Sequence, residues 1–294
     1  MAGMTATWTD PTGAVWPLTD TDPNVGMFTP GGPAGWMGIK YEIVTDPLPR
    51  GGESLRFIRA QAGRLTWPLH INGDNASGEV SSIRFQDRWR AIRRAFTMTL
   101  HRSTPGVLRV TWADGTVREI DCYYEEGFGG AGGENHIYAN PVLTLYCPDG
   151  YWRDPVQIVE SRSFQVGASF LAPFPTVSQG QVLGSSTIDN PGDVDAWPTW
   201  TITGPADVVT ATNLTTGHSF MVSKSISAGQ LIIITTDRPT VRGPLAENLI
   251  STLNLPDAYL WPLQPGLNSV DFAVAGAGTG TAIQLAFNAR YEGA

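Results

Sequence analysis

Cysteine is nearly absent from this 294-residue chain: only Cys122 and Cys147 occur, with no CxxC motif and no accompanying histidine pair. Two are too few for a disulfide framework, so buried structural thiols in a reducing cytoplasm are expected, with a single bridge between them left open. Charge is sparse as well. Charged residues make up 16% of the chain, against roughly a quarter in an average soluble domain, so part of the surface is expected to face neighbours instead of water. The balance is acidic, with a net charge of -8 and a pI near 4.9. That argues against binding nucleic acid by neutralising phosphates, although it suits a wall past which DNA slides. No apolar run approaches the roughly 18 residues needed to cross a bilayer. The first twenty residues lack a basic start followed by a hydrophobic stretch, so neither signal peptide nor membrane anchor is expected.

Reactive constellations are equally scarce. His70, His101, His136 and His218 are scattered, and neither HxH, HExxH nor GxSxG appears. Glu125 and Glu126 are neighbours in a β-prone run and so point to opposite faces. The glycines between Gly127 and Gly133 lack the Lys-Ser or Lys-Thr of a phosphate loop. The oxygen-rich segment Asp189–Asp195 makes calcium conceivable, but it lacks the twelve-position EF-hand pattern, and an Asx-rich turn is the stronger reading. No catalytic residue, cofactor or metal site is therefore expected.

Gly 33 and Pro 22, by contrast, are abundant. Both are costly inside helices, so short strands joined by turns are expected. Thr5–Trp16 reads as a hairpin around Pro-Thr-Gly, and Ile39–Val44 as a short strand. Arg64–Ile71 reads as one strand, with Pro68 at an edge or bulge. The run from Val107 to Phe128 is the clearest hairpin, turning at Ala113-Asp114-Gly115. One helix stands out: Phe85, Trp89, Ile92 and Phe96 fall on one stripe, with Ser81 or Ser82 as its cap. Arg84, Arg88, Arg90, Arg93 and Arg94 occupy its other faces. They read either as a solvated face or as a band pairing with acidic groups of an adjacent subunit.

A boundary is expected near Trp152–Ile158, giving domains at 1–155 and 156–294. The second half carries regularly spaced strands of a β-sandwich, the last alternating Ile283, Leu285, Phe287, Ala289 and Tyr291 on one face. Its aromatics Trp197, Trp200, Tyr259 and Trp261 lie near loops, where such rings stack on sugars. Trp197 and Trp261 are the candidate glycan contacts, weighed against core packing.

The order of these elements resembles one known family. Gly63–Asp74, the arginine-bearing helix, Arg109–Gly127 and Val142–Pro155 together resemble the first domain of siphophage distal tail proteins. Asp189–Ala206, Leu231–Arg242 and Trp261–Phe272 look like its N-G-D-x-x-x-x-P, D-T-x-x-R-x-V and L-x-P-G-x-N signatures, with Pro191 splitting the usual Asn-Gly pair. The resemblance implies an all-β fold with one main helix: a tail-tube-like split β-barrel followed by a galectin-like β-sandwich. It also implies a homohexameric ring at the distal end of the virion tail, assembled in the host cytoplasm. The implied partners are the tail tube protein, the tape-measure protein, the tail-tip hub and receptor-binding or fibre proteins, with DNA only in passage. A carbohydrate-binding module is the alternative from another class; an enzyme acting on cell-wall polymers has the least support.

Overall fold

Alternating apolar and polar residues, interrupted by Gly, Pro and Asx turns, make this a chain of short antiparallel strands with one long helix. The computed structural model describes residues 3–129, 136–164 and 182–294; the expected glycine loop at Gly130, Gly132 and Gly133 lies outside them. The chain divides into two compact units, Met1–Pro155 with Tyr291–Ala294, and Val156–Arg290. The last four residues thus group with the first unit. Ala294 donates its amide to the Trp36 carbonyl at 3.1 Å, and the Arg118 guanidinium lies 3.6 Å from the Tyr291 ring centre.

The first unit contains β1 (Thr5–Thr9), β2 (Val15–Pro17), β3 (Met27–Phe28), β4 (Tyr41–Pro47), β5 (Glu53–Ala60), β6 (Gly63–Pro68) and β7 (His70–Asn72). After helix α1 (Ser82–Arg102) come β8 (Gly106–Thr111), β9 (Val117–Glu126), β10 (Tyr138–Ala139), β11 (Val142–Cys147) and β12 (Trp152–Arg153). The main sheet runs β2-β1-β8-β9-β11-β6, with β12 added against β9. A small second sheet runs β10-β7-β3, and β4 pairs with β5 alone. The expected single strand Arg64–Ile71 is in fact two, β6 and β7, in different sheets. Pro68 has no amide to continue the ladder, and the amide of Leu69 turns to the Pro141 carbonyl.

Helix α1 begins where the Ser81 hydroxyl accepts the Arg84 amide at 3.3 Å. Its stripe of Phe85, Ile92 and Phe96 is buried, with Trp89 packed at the margin of the same core. Beneath it Trp8 stacks on Phe96 at 4.4 Å and donates its indole N–H to the Ala95 carbonyl. Two polar contacts lock the helix in place. Where β9 meets β11 the register shifts, skipping Glu125; the buried amide of Tyr124 is taken by the Thr99 hydroxyl at 3.0 Å, which itself donates to the Phe96 carbonyl. At the other end the Arg88 guanidinium donates to the carbonyls of Asn72, Asp74, Pro23 and Asn24 at 2.7–2.9 Å. Its head sits so close to Gly26 that a Cβ there would collide with it.

The second unit holds β13 (Ile158–Ser163), β14 (Val182–Asn190), β15 (Thr199–Thr203), β16 (Ala206–Asn213), β17 (His218–Ile226), β18 (Leu231–Thr235), β19 (Thr240–Arg242), β20 (Gly266–Ala275) and β21 (Ala282–Phe287). One sheet runs β13-β21-β15-β18-β19 and the other β14-β20-β16-β17. Alternate residues of both, among them Ile202, Ile234 and Leu285 from the first and Val209, Phe220 and Phe272 from the second, share one core. At its centre the Trp200 ring meets Phe220, Trp261 and Phe272 nearly edge-to-face, at 5.4, 5.0 and 5.6 Å. Trp261 donates its N–H to the Ala211 carbonyl at 3.2 Å. The buried indole N–H of Trp200 has no hydrogen-bond partner.

Three outcomes in chemical unfolding check this account. Thr99→Val keeps the shape but leaves the Tyr124 amide without a partner, costing about 1–3 kcal/mol. Arg88→Ala removes the donors to the partly buried carbonyls of Asn72 and Asp74 and to those of Pro23 and Asn24 and costs about 1–3 kcal/mol, whereas Arg93→Ala changes stability by less than about 0.5 kcal/mol. Trp261→Phe is more destabilising than Trp200→Phe by about 1 kcal/mol, because only the former breaks a hydrogen bond.

Candidate functional site

The five helix arginines do not form one band. Arg84 donates to the carbonyls of Gly73 and Glu79 at 2.7 and 3.0 Å, and Arg88 is spent on the loop contacts above. Burial, followed by the neighbouring Arg84, lowers the pKa of Arg88 from its ordinary value. The donors of these two thus close the unit's own backbone. Arg90 faces solvent beside Asp87 at 3.7 Å, and Arg93 and Arg94 are exposed. Those three remain for a partner.

Of the glycan contacts expected at Trp197 and Trp261, only the second is closed off by the fold. Trp261 is fully buried in the second core and Trp197 is half-buried, so no sugar reaches the face of Trp261. Trp200 is buried as well. Tyr259 alone of the four is exposed, and its ring stacks on His218 at 4.2 Å.

The Asp189–Asp195 segment is a folding device. The buried Asn190 side chain donates to the carbonyls of Val194 and Leu263 and accepts the Gly192 amide. Burial pushes the Asp195 carboxyl up, against the lowering influence of Arg290. Asn268, equally buried, donates to the carbonyls of Gln264 and Gly266 and accepts the Gln264 amide. Thr236 donates to the Pro198 carbonyl at 2.7 Å. Each of the three sequence signatures therefore pins a turn. Among the described residues no group of three or more His, Cys, Asp or Glu is placed to hold a metal. No helix among them is long and apolar enough to cross a membrane.

Sequence reasoning missed the feature that most resembles a functional surface. Strands β4 and β5 form a two-stranded hairpin with Ile43 opposite Ile58 and Val44 opposite Phe57. Gly51 and Gly52, both with positive φ, make its turn. Glu42 binds Arg59 at 2.6 Å, and Asp46 lies 3.6 Å from Arg56. Both strands stay exposed: Ile43 is 62% accessible, Leu55 59% and Ile58 53%, with Phe57 and Leu48 also open. A two-stranded hairpin with uncovered apolar side chains is marginal by itself. In Glu53–Ala60 the apolar residues Leu55 and Phe57 fall on one face and Ile58 on the other, so the run has no alternating pattern and no core side from which a strand could be read. At the hairpin's root a cleft of about 300 Å³ is lined by Lys40, Gln61 and Arg64 among backbone and apolar groups, with no Ser, Cys, His or carboxylate.

No protein-family model matches the chain, and no curated protein matches it. Solved structures do. The phage SPP1 Dit (gp 19.1) protein, described as a paradigm of the hub adsorption apparatus in phages infecting Gram-positive hosts, superposes with a TM-score of 0.66 at 13% identity, over 98% of each chain. The phage p2 baseplate in its activated conformation with strontium gives 0.53 at 10% identity, over 99% of each chain. The same baseplate with calcium gives 0.54 at 11% identity, over 100% of each. Sequence identity this low speaks to architecture: the chain has the mostly-β fold of a phage distal tail protein, with one α-helix among the described residues.

Proposed function

We propose that this chain is a structural protein of a bacteriophage tail tip. In this reading its first unit, taken as 1–155, associates with copies of itself into a hexameric ring. The observation that carries the reading is the end-to-end likeness to a phage hub protein and to baseplate chains. The ring would join the tail tube to the tip hub and to the host-recognition proteins, with the second unit, 156–294, as a galectin-like outer domain. Its work is assembly and passage, without turnover.

The exposed β4–β5 hairpin supports self-association. Its apolar side chains need cover, and a head-to-tail contact, in which the hairpin of one copy rests on the next, repeats until the rotation closes. Arg90, Arg93 and Arg94 point outward from a chain whose net charge is -8, so an acidic surface of a neighbour is a natural complement. The same acidity would keep a passing genome from adhering to the wall. Burial of Trp261 removes the basis for a glycan platform at that residue.

The test is mass in solution. The purified chain, alone or mixed with tail partners, is expected as six-membered rings by mass photometry and negative-stain imaging. A monomer at every concentration that also fails to join purified tails overturns the reading. Phe57→Asp with Ile58→Asp is expected to abolish ring formation while shifting the unfolding free energy of the monomer by less than about 0.5 kcal/mol per site, since neither side chain belongs to a core.

A further inference from the structure

Cys122 lies on β9 and Cys147 ends β11, two adjacent antiparallel strands. They sit one step along the ladder from the Tyr146–Tyr123 pair. Their sulfurs are 3.1 Å apart, and both residues are fully buried. Their remaining polar contacts are weak ones, to the carbonyls of Ile120 at 3.6 Å and Leu145 at 4.0 Å. Opposed residues of an antiparallel pair have Cα atoms roughly 4.5–5.5 Å apart, inside the roughly 4.4–6.8 Å that a disulfide spans. We propose that Cys122 and Cys147 are a latent disulfide, a modification site at which oxidation staples β9 to β11 with little movement of either strand.

The proposal goes beyond the assembly reading and stands without it. A small disulfide such as oxidised glutathione balances the step. One cysteine sulfur attacks it and displaces a glutathione thiolate, which takes up that cysteine's proton. The second cysteine sulfur then attacks the mixed disulfide, forming the Sγ–Sγ bond and releasing a second glutathione, which takes the second proton. Two thiols are oxidised and one disulfide is reduced. Burial, then the neighbouring Cys147, raises the Cys122 pKa well above its ordinary value. The thiolate is the nucleophile, so the folded pair is slow to react and the reduced form survives wherever thiols are kept reduced. The Asp121–Arg153 ion pair at 2.7 Å flanks Cys122 on the outer side of β9. Access therefore requires the β11 end to open at the Pro148-Asp149-Gly150 turn or the chain to refold.

The full chain is incubated with oxidised glutathione in two arms, one folded and one during refolding from denaturant; thiols are then alkylated under denaturing conditions and counted by mass. Both thiols are expected to vanish together in at least one arm, with an intrachain crosslink between the peptides carrying Cys122 and Cys147. The oxidised chain should melt at a higher temperature than the reduced one. Cys147→Ala should form no intrachain crosslink and gain no such rise. Two free thiols in both arms, a bridge between separate chains, or an oxidised form that melts at a lower temperature would each overturn the proposal. Because the wild-type chain gives the decisive readout, a poorly folding variant does not obscure it.

Discussion

The amide of Tyr124, displaced from the ladder where β9 bulges against β11, is held by the hydroxyl of Thr99, and the rest of the first unit is arranged around that contact. Strand β9 bonds to β8, β11 and β12. Its inward residues Ile120, Cys122 and Tyr124 lie in the core, while Glu119, itself buried, and Asp121 lie on the sheet's other face and pair with Arg109 and Arg153. One strand thus joins the sheet, the helix and an ion-pair row. A buried amide without a partner costs more than a typical hydrogen bond gains, so the bulge is tolerable only with the helix seated where Thr99 meets it. The Arg88 contacts set the other end of the same helix, leaving little freedom in how it lies on the sheet.

The second unit reaches the same end by different chemistry. Its core is aromatic at the centre, and its turns are held by side-chain amides. Asn190 and Asn268 each satisfy backbone groups in loops that carry too few ladder bonds to hold themselves. Side chains that mimic backbone partners in this way account for the recurring Asn, Gly and Pro of the signatures. The Asn190 side chain binds the Gly192 amide across Pro191, so the turn keeps its anchor with a proline at its centre.

Legibility from sequence followed burial. The helix over Phe85–Phe96 and the hairpin around Asp114-Gly115 could be read because one face of each is apolar and the other polar, and a period is visible only when a core imposes it. Strand β5 has no such face, since apolar Leu55, Phe57 and Ile58 are all exposed, and so it left no trace. Trp261 failed for the opposite reason. Its surroundings in sequence are loop-like, and its burial depends on Ala211, fifty positions away in the chain. The arginines were visible as a cluster, but which of them turn inward depends on carbonyls of Pro23 and Asn24 that approach only once the chain has folded.

The low share of charged residues and the open hairpin are two aspects of one constraint. A monomer that needed only its own cores would have little reason to leave Ile43, Leu55 and Ile58 in water, because each exposed apolar strand edge invites unspecific pairing. Both hairpin strands carry exposed ion pairs, Glu42 with Arg59 and Asp46 with Arg56, which favour the paired form of a hairpin that is marginal by itself. Preshaping lowers the ordering cost on contact, and closure of a ring removes the exposed edges that an open chain of subunits would keep. Under the proposed assembly, stability of the arm and of the ring would be coupled, because the side chains that no core of the single chain covers would be those a neighbour buries.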